Sequence, residues 1–215
     1  MAPGPAAGDP PPPEDPLAAV LTQLAQQLLA FDVVHTRLGD AAPLAVVGGL
    51  AVSVRTEPRF TRDVDLAVAT RGDAEAEQLV LQLQRVGYRA LVVLEHERGV
   101  LATVRLLPPG GSTDGVLVDL LFNSSGIERE IVAGAEALEV LPGVILPVAQ
   151  VGHLLALKLL SVDDRRPNDA ADIAALHAVA TPTELARCRE AIVLIEGRGF
   201  ARGRDLGASL SRLGG

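Results

Sequence analysis

Two glycines, Gly48 and Gly49, are followed after thirteen residues by Asp63-Val64-Asp65. A third acid, Asp119, interrupts the apolar run Val116-Leu117-Val118-Asp119-Leu120-Leu121-Phe122. Carboxylates at i and i+2 of a strand point to one face, and a third on a neighbouring strand completes an oxygen-rich set. Such a set suits Mg²⁺ or Mn²⁺, hard cations that prefer oxygen ligands. Glycines at a strand end let the backbone approach a phosphate closely. The chemistry that fits these residue types is metal-assisted transfer at a phosphate. Apolar strands that suddenly carry acids are costly unless the acids bind something. The bland alternative is a turn followed by a surface strand with solvated acids.

Lysine gives a second signal. Of the 19 basic residues, 18 are Arg, and Lys158 is the single lysine. A lysine kept in so arginine-rich a chain suits a place that needs a point charge rather than a planar fork, such as a triphosphate. Leu154, Leu155, Leu157, Leu159 and Leu160 surround it in an apolar helical pattern, so its stem should pack and the charge should sit half-buried.

The glycine pair, the spacer and the run Arg59-x-Thr61-x-Asp63-Val64-Asp65 resemble the signature of the nucleotidyltransferase-fold superfamily. Downstream, Leu157-Lys158-Leu159 and Asp163-Asp164-Arg165-Arg166-Pro167-Asn168-Asp169-Ala170-Ala171-Asp172-Ile173 are similar to the AbiEii/AbiGii-type toxin nucleotidyltransferases of prokaryotic toxin–antitoxin and phage-defence systems. The resemblance covers roughly residues 17 to 180 and implies transfer of NMP from an NTP to an acceptor, either tRNA or a protein. It implies Mg²⁺ or Mn²⁺ held by Asp63, Asp65 and Asp119, the last either a ligand of a second metal or the base for the acceptor hydroxyl. Gly48 and Gly49 would cradle the phosphates and Lys158 would neutralise them. Arg62 either touches phosphate or stabilises its loop. Asp169 and Asp172 share a helix face; they either favour the helix dipole or orient Lys158 or Arg165 towards the nucleotide. Ser53 reads as structural. A cognate antitoxin is the implied partner. Two departures stand out: Leu50 follows the glycines where many relatives place Ser or Thr, and no alignable basic motif lies between Asp65 and Asp119. Alternative readings are a small-molecule, antibiotic-type nucleotidyltransferase, or a non-catalytic nucleotide-binding protein with the same fold.

Composition bounds the rest. The 215 residues are 48% hydrophobic but 2% aromatic, so the core must be built from Ala, Val and Leu. A net charge of −8 argues against nucleic-acid binding through bulk electrostatics. Arg187, Arg189, Arg198, Arg202, Arg204 and Arg212 offer either a local tRNA-facing patch or ordinary solvated helix faces. The single Cys188 excludes an internal disulfide and, with four scattered histidines, gives no zinc spacing. No apolar run is long enough for a membrane span and the start has no secretory pattern, so a cytoplasmic protein without membrane contact is expected.

The elements that must position these residues follow from periodicity. Residues 1–16 are a Pro-rich tail expected to be disordered. A helix is expected over 17–31, a strand over 44–47, a helix near 49–55, and the acid-bearing strand over 63–69. Helix 73–86, strand 89–95, a hairpin through Glu97-Arg98-Gly99, strand 100–107, strand 115–122 and a short helix over 127–133 come next. Strand-like pieces at 137–141 and 144–146 precede Pro147, and helices follow at 148–161, 168–178, 182–195 and near 203–212. The fold class is mixed α+β: a small mixed sheet of the nucleotidyltransferase (polymerase-beta-like) kind, then a C-terminal helical bundle. The expected division is 1–16 tail, 17–146 catalytic core and 147–215 helical region, with the site in the cleft between sheet and helices.

Overall fold

The computed structural model describes residues 26, 27, 30, 34, 42–59, 61–96, 99–141, 143–162 and 167–214. Its sheet holds seven strands: β1 (Leu44–Val47), β2 (Val64–Val68), β3 (Arg89–His96), β4 (Val100–Leu107), β5 (Val118–Leu121), β6 (Glu136–Leu141) and β7 (Val144–Val148). The helices are α1 (Gly48–Arg55), α2 (Asp73–Arg85), α3 (Glu128–Ala133), α4 (Val151–Ser161), α5 (Pro167–Val179), α6 (Pro182–Gly197) and α7 (Leu206–Ser211). This is the mixed sheet followed by helices that the patterning predicts. The expected tail over 1–16 lies outside the described residues, as does most of the helix expected over 17–31, of which Gln26, Gln27 and Ala30 are helical.

Strand order is β3-β4-β5-β2-β1-β7-β6. The centre is mixed: β2 runs parallel to β5 and antiparallel to β1, and β1 runs parallel to β7. The acid-bearing strands β2 and β5 are therefore direct neighbours, although 53 residues separate Asp65 from Asp119 (119 − 65 − 1). The core is aliphatic as composition demands, with Leu66, Leu106, Leu120, Ile127, Leu154, Leu155 and Ile195 fully buried. At about 25 cal/mol per Å² of apolar surface, such burial supplies the main stabilisation.

Several boundaries differ from expectation, such as the helix Val151–Ser161 against 148–161, and two of them bear on the sheet. The third acid strand is short, Val118–Leu121 rather than 115–122, because Val116 and Leu117 are buried outside the ladder. Pro147 lies inside β7, opposite Ala137 in the register. Proline lacks the N–H a central ladder needs, but β7 meets β1 through the single register pair Val46–Val148, so little pairing is lost on that side.

The C-terminal helices cover the sheet beside α1. Thr181 caps α6 by accepting a hydrogen bond from the Glu184 N–H, with Pro182 at the first helical position. Glu184 in turn accepts the Gly152 N–H at 2.5 Å and so fastens α4 to α6. Arg55 ties α1 to the far side of the sheet by donating to the carbonyls of Val148 and Ala149 and to Glu136. Cys188 is buried in α6, its thiol pushed up to about 12 by burial, and serves as an apolar core group. Among the described residues no helix is long and apolar enough to cross a membrane.

Candidate active site

The sheet register sets the site. Arg105 of β4 pairs with Asp119 of β5, Asp119 pairs with Asp65 of β2, and Asp65 pairs with Val47 of β1. One row across four strands thus carries a cation, two acids and the residue that precedes the glycine turn. Asp63 stands just ahead of β2, its Oδ2 3.6 Å from Arg105 Nη2. The segment leading to it is held by the Gln27 side-chain amide, which donates to the carbonyls of Thr61 and Asp63 at 2.9 and 3.1 Å.

The two neighbouring acids raise the cost of ionising Asp65. The Asp65 carboxyl is pushed up to about 7, first by burial, then by Asp119 and Asp63, with Lys158 and Arg105 pulling the other way. Arg105 forks onto Asp119, Nε to Oδ1 at 2.8 Å and Nη2 to Oδ2 at 2.6 Å. That fork raises the guanidinium's already high pKa further. Arg62 lies against Asp63 at 3.4 Å with its side chain largely in solvent.

The glycines have a steric duty beside these acids. Gly48 sits at φ 64°, and a Cβ there would lie 1.9 Å from Asp65 Oδ2. A Cβ on Gly49 would lie 2.5 Å from Thr61 Oγ1. The pair lets α1 start directly against the carboxylates, and among the described residues no N-cap side chain bonds to the first N–H groups of that helix. Ser53 bonds back to the carbonyls of Gly49 and Arg59, the structural duty expected of it.

A second cluster closes the site from the helical side. Lys158 on α4 contacts Asp169 at 2.8 Å and Asp172 at 2.7 Å, both on α5. Arg59, just after α1, forks onto Asp172 at 2.7 and 2.6 Å. Asp169 and Asp172 are 4% and 1% exposed, so two buried acids are met by two cations, Lys158 and Arg59, that are only partly exposed. Burial alone would raise Asp172, but the hydrogen bonds from Arg59 and Lys158 outweigh it and hold its pKa below the ordinary carboxylate value. Lys158 is the half-buried lysine on a leucine-rich helix that the pattern predicts, with 15% of its side chain exposed.

Between the two clusters lies a cavity of about 400 Å³ lined by Gly48, Gly49, Asp65, Arg105, Asp119 and Lys158. Val92, Leu94 and Leu121 form an apolar wall, and Ser124 and Arg202 lie at one end. The structure thus brings Gly48, Gly49, Asp63, Asp65, Asp119, Lys158 and Asp169 into one neighbourhood; Arg165 falls outside the described residues. The C-terminal arginines are less of a free patch than their number suggests. Arg198 donates to the Gly126 carbonyl and to Glu130, and Arg202 to the Ser124 carbonyl.

Sequence reading missed two residues. Arg59 stands in the quoted motif without a role, and nothing in its spacing announces Asp172 as its partner. Arg105 was legible: it is one charge in the apolar strand Val100–Leu107, the same signal that singled out the acids. Among the described residues no group of three or more acid, His or Cys side chains stands in a geometry to hold a metal, and both oxygens of Asp119 are engaged by the Arg105 fork. The donor set still suits a hard divalent cation: oxygen-only, crowded, and with no hydrogen-bond donor to the Asp65 carboxylate among the described residues.

The chain was compared with known proteins. The family model described as nucleotidyl transferase AbiEii toxin, type IV TA system, matches residues 33–203. The solution structure of the antibiotic-resistance factor ANT(2'')-Ia superposes with a TM-score of 0.52 at 16% identity, covering 87% of this chain and 96% of that one. An antigenic nucleotidyltransferase-like protein from Paracoccidioides brasiliensis gives a TM-score of 0.49 at 18% identity, over 87% and 93% of the two chains. No curated protein sequence matches. At 16% identity the ANT(2'')-Ia structure speaks for the fold alone, whereas the family match spans most of the chain, and this protein belongs to the AbiEii nucleotidyl transferase toxin family.

Proposed function

We propose that the protein transfers NMP from an NTP to an acceptor hydroxyl in a divalent-metal-dependent reaction centred on Asp63, Asp65 and Asp119. One observation carries this reading: the three acids meet across adjacent strands, and Asp65, pushed up to about 7, is a carboxylate short of a cation. In nucleotidyl transfer the acceptor oxygen attacks the α-phosphorus in line and pyrophosphate leaves. A bound divalent pair would supply Lewis-acid stabilisation of the charge on the attacking and leaving oxygens. Asp63 and Asp65 would hold that pair. Asp119 would either join them or accept the acceptor's proton, once released by Arg105. The uncapped N–H groups at Gly48 and Gly49 suit the phosphates, and Lys158, fixed by Asp169 and Asp172, offers a positive charge to the triphosphate. Asp169 here is a positioning residue. In this reading residues 17–146 supply the carboxylates and 147–215 supply Lys158.

The lining favours an anionic or neutral acceptor over the runner-up, a polycationic antibiotic. Beyond the catalytic aspartates the cavity shows no acid among the described residues, while Arg105, Lys158 and Arg202 line it. A phosphate-bearing acceptor such as tRNA fits that charge, and a toxin role in the cytoplasm with a cognate antitoxin goes with the family. The test is transfer of α-labelled NTPs to total RNA, total protein and a panel of aminoglycosides with Mg²⁺ or Mn²⁺. Label should enter RNA or protein, and Asp63→Asn should abolish it. Label on aminoglycosides alone would establish the runner-up. Transfer by Asp63→Asn at the wild-type rate would overturn the assignment of the carboxylates.

A further inference from the structure

The geometry points to Arg105 as a resident counter-cation that competes with the metal for the carboxylate row, so that metal entry depends on the guanidinium finding another anion. The inference rests on the reading just given.

Three observations carry it. Arg105 satisfies both oxygens of Asp119 with a two-pronged fork and stands 3.6 Å from Asp63, so a single guanidinium spans two of the three acids. Bidentate guanidinium–carboxylate pairs are among the stronger charge-assisted contacts; the fork takes a lone pair on each Asp119 oxygen and sets a positive charge beside the carboxylate, so a cation must compete with it. Next, exposure is unequal across the pair. The Asp119 side chain is 11% exposed and fixed within the sheet, whereas 38% of Arg105 is exposed and borders the cavity. Its register neighbour on the outer side is Val92, itself 43% exposed on the edge strand, so the guanidinium has open space to leave into. Finally, the cavity it would enter is the one lined by Gly48, Gly49 and Lys158, where a triphosphate would lie. A triphosphate offers Arg105 a replacement anion at the moment Asp119 is needed, which couples nucleotide and metal binding. By linkage each then raises the affinity of the other. The competing view is that Arg105 pre-sets Asp119 for the metal, and it predicts the opposite sign on metal affinity.

The experiment is titration of Mn²⁺ alone, without nucleotide, into the full-length wild type, Arg105→Gln, Arg105→Lys and Arg62→Gln, followed by calorimetry and by the spin-resonance signal of free Mn²⁺. Arg105→Gln should bind Mn²⁺ about 10-fold or more tightly than wild type, the scale of a released charge-assisted contact. Arg105→Lys keeps the charge but loses the fork and should fall between; it decides the matter if Arg105→Gln does not fold without metal. Arg62→Gln removes the same charge near Asp63 without a fork and should change little. Unchanged or weaker Mn²⁺ binding by the Arg105 variants would overturn the inference, as would an equal gain in Arg62→Gln, which would reduce the effect to bulk charge. Wild type with Mn²⁺ and a non-hydrolysable NTP separates the two levels. If it takes up Mn²⁺ while the Arg105 variants show no gain, only the counter-cation role fails. If no protein takes up Mn²⁺ even with nucleotide, the metal-dependent reading fails and this inference with it.

Discussion

Two charge clusters face each other across the cavity, and they are built to opposite rules. On the sheet, Asp63, Asp65 and Asp119 meet one guanidinium, Arg105, and the excess of acid is left standing. On the helices, Asp169 and Asp172 meet Lys158 and Arg59, charge for charge. The first set is under-neutralised and borders the cavity; among the described residues the second is balanced, and its two acids are buried. A balanced buried set contributes shape, since breaking it leaves an uncompensated charge in a poor solvent. An unbalanced set costs stability in the free protein and gains it back only when a cation arrives. In the proposed reaction the row on the sheet would do the binding and the helical set would hold Lys158 in place.

Removing an acid from the row should have the largest effect on turnover and the reverse effect on stability. Asp65→Asn should reduce transfer to background while raising the melting temperature of the metal-free protein. The sign with pH follows from the raised pKa. Between about 4 and 7 the folded state keeps a proton that the unfolded chain has lost, so folding tightens as pH falls through 7. The stability gain of Asp65→Asn should therefore be greatest above pH 7 and shrink on acidification, measured by melting curves from pH 5 to 9. A gain independent of pH would show that Asp65 is not under strain from its charge.

Breaking the balanced set should do the opposite. Among the described residues Lys158→Ala leaves Asp172 with Arg59 and Asp169 without a cationic partner, and it should cost roughly 3 kcal/mol of stability as well as activity. The double ion pair ties the Lys158 charge to the fold as well as to the site. Lys158→Arg should keep much of the stability but not the rate, because the fork cannot occupy the same bridging point between two carboxylates. A stable and fully active Lys158→Arg would merge the two clusters into one category.

A third measurement separates the pH behaviour of the two sides. His153 on α4 is held down to about 4 by burial, with Arg187 adding to it. The unfolded chain takes up a proton near 6.5 that the folded state refuses until about 4, so stability falls with pH across that window. The loss is at most about 3 kcal/mol. It opposes the gain from Asp65. In Asp65→Asn the decline below pH 6.5 should stand exposed, and in Asp65→Asn/His153→Gln it should flatten. The smallest effect belongs to the exposed pair Arg71–Glu75, whose removal should leave the melting temperature unchanged within error.

The sheet side of the site was legible because strand chemistry is local. Acids in apolar runs, a glycine pair at a strand end and period-2 patterning fix Asp63, Asp65, Asp119 and the two glycines with little ambiguity. Arg105 carried the same signal and was passed over because no basic motif was recognised between Asp65 and Asp119; the antiparallel register of β4 on β5 is what gives it a partner. The helical side was only half legible. Lys158 stands out by composition, and Asp169 with Asp172 by spacing, but their joining is a matter of how α5 lies on α4. Arg59 reaches Asp172 across 113 residues, and a contact of that range leaves no trace in local pattern. The strand over 115–122 was drawn too long for the same reason: apolar residues outside a ladder read like residues within it.

The most direct test is to locate Mn²⁺ by anomalous scattering in crystals grown with a non-hydrolysable NTP. The account predicts anomalous density between Asp63 and Asp65, the Arg105 guanidinium withdrawn from Asp119, and the Lys158–Asp169–Asp172–Arg59 set in its present arrangement. Nucleotide bound with no metal at the carboxylate row, or metal seated on Asp169 and Asp172 in place of Lys158, would contradict it.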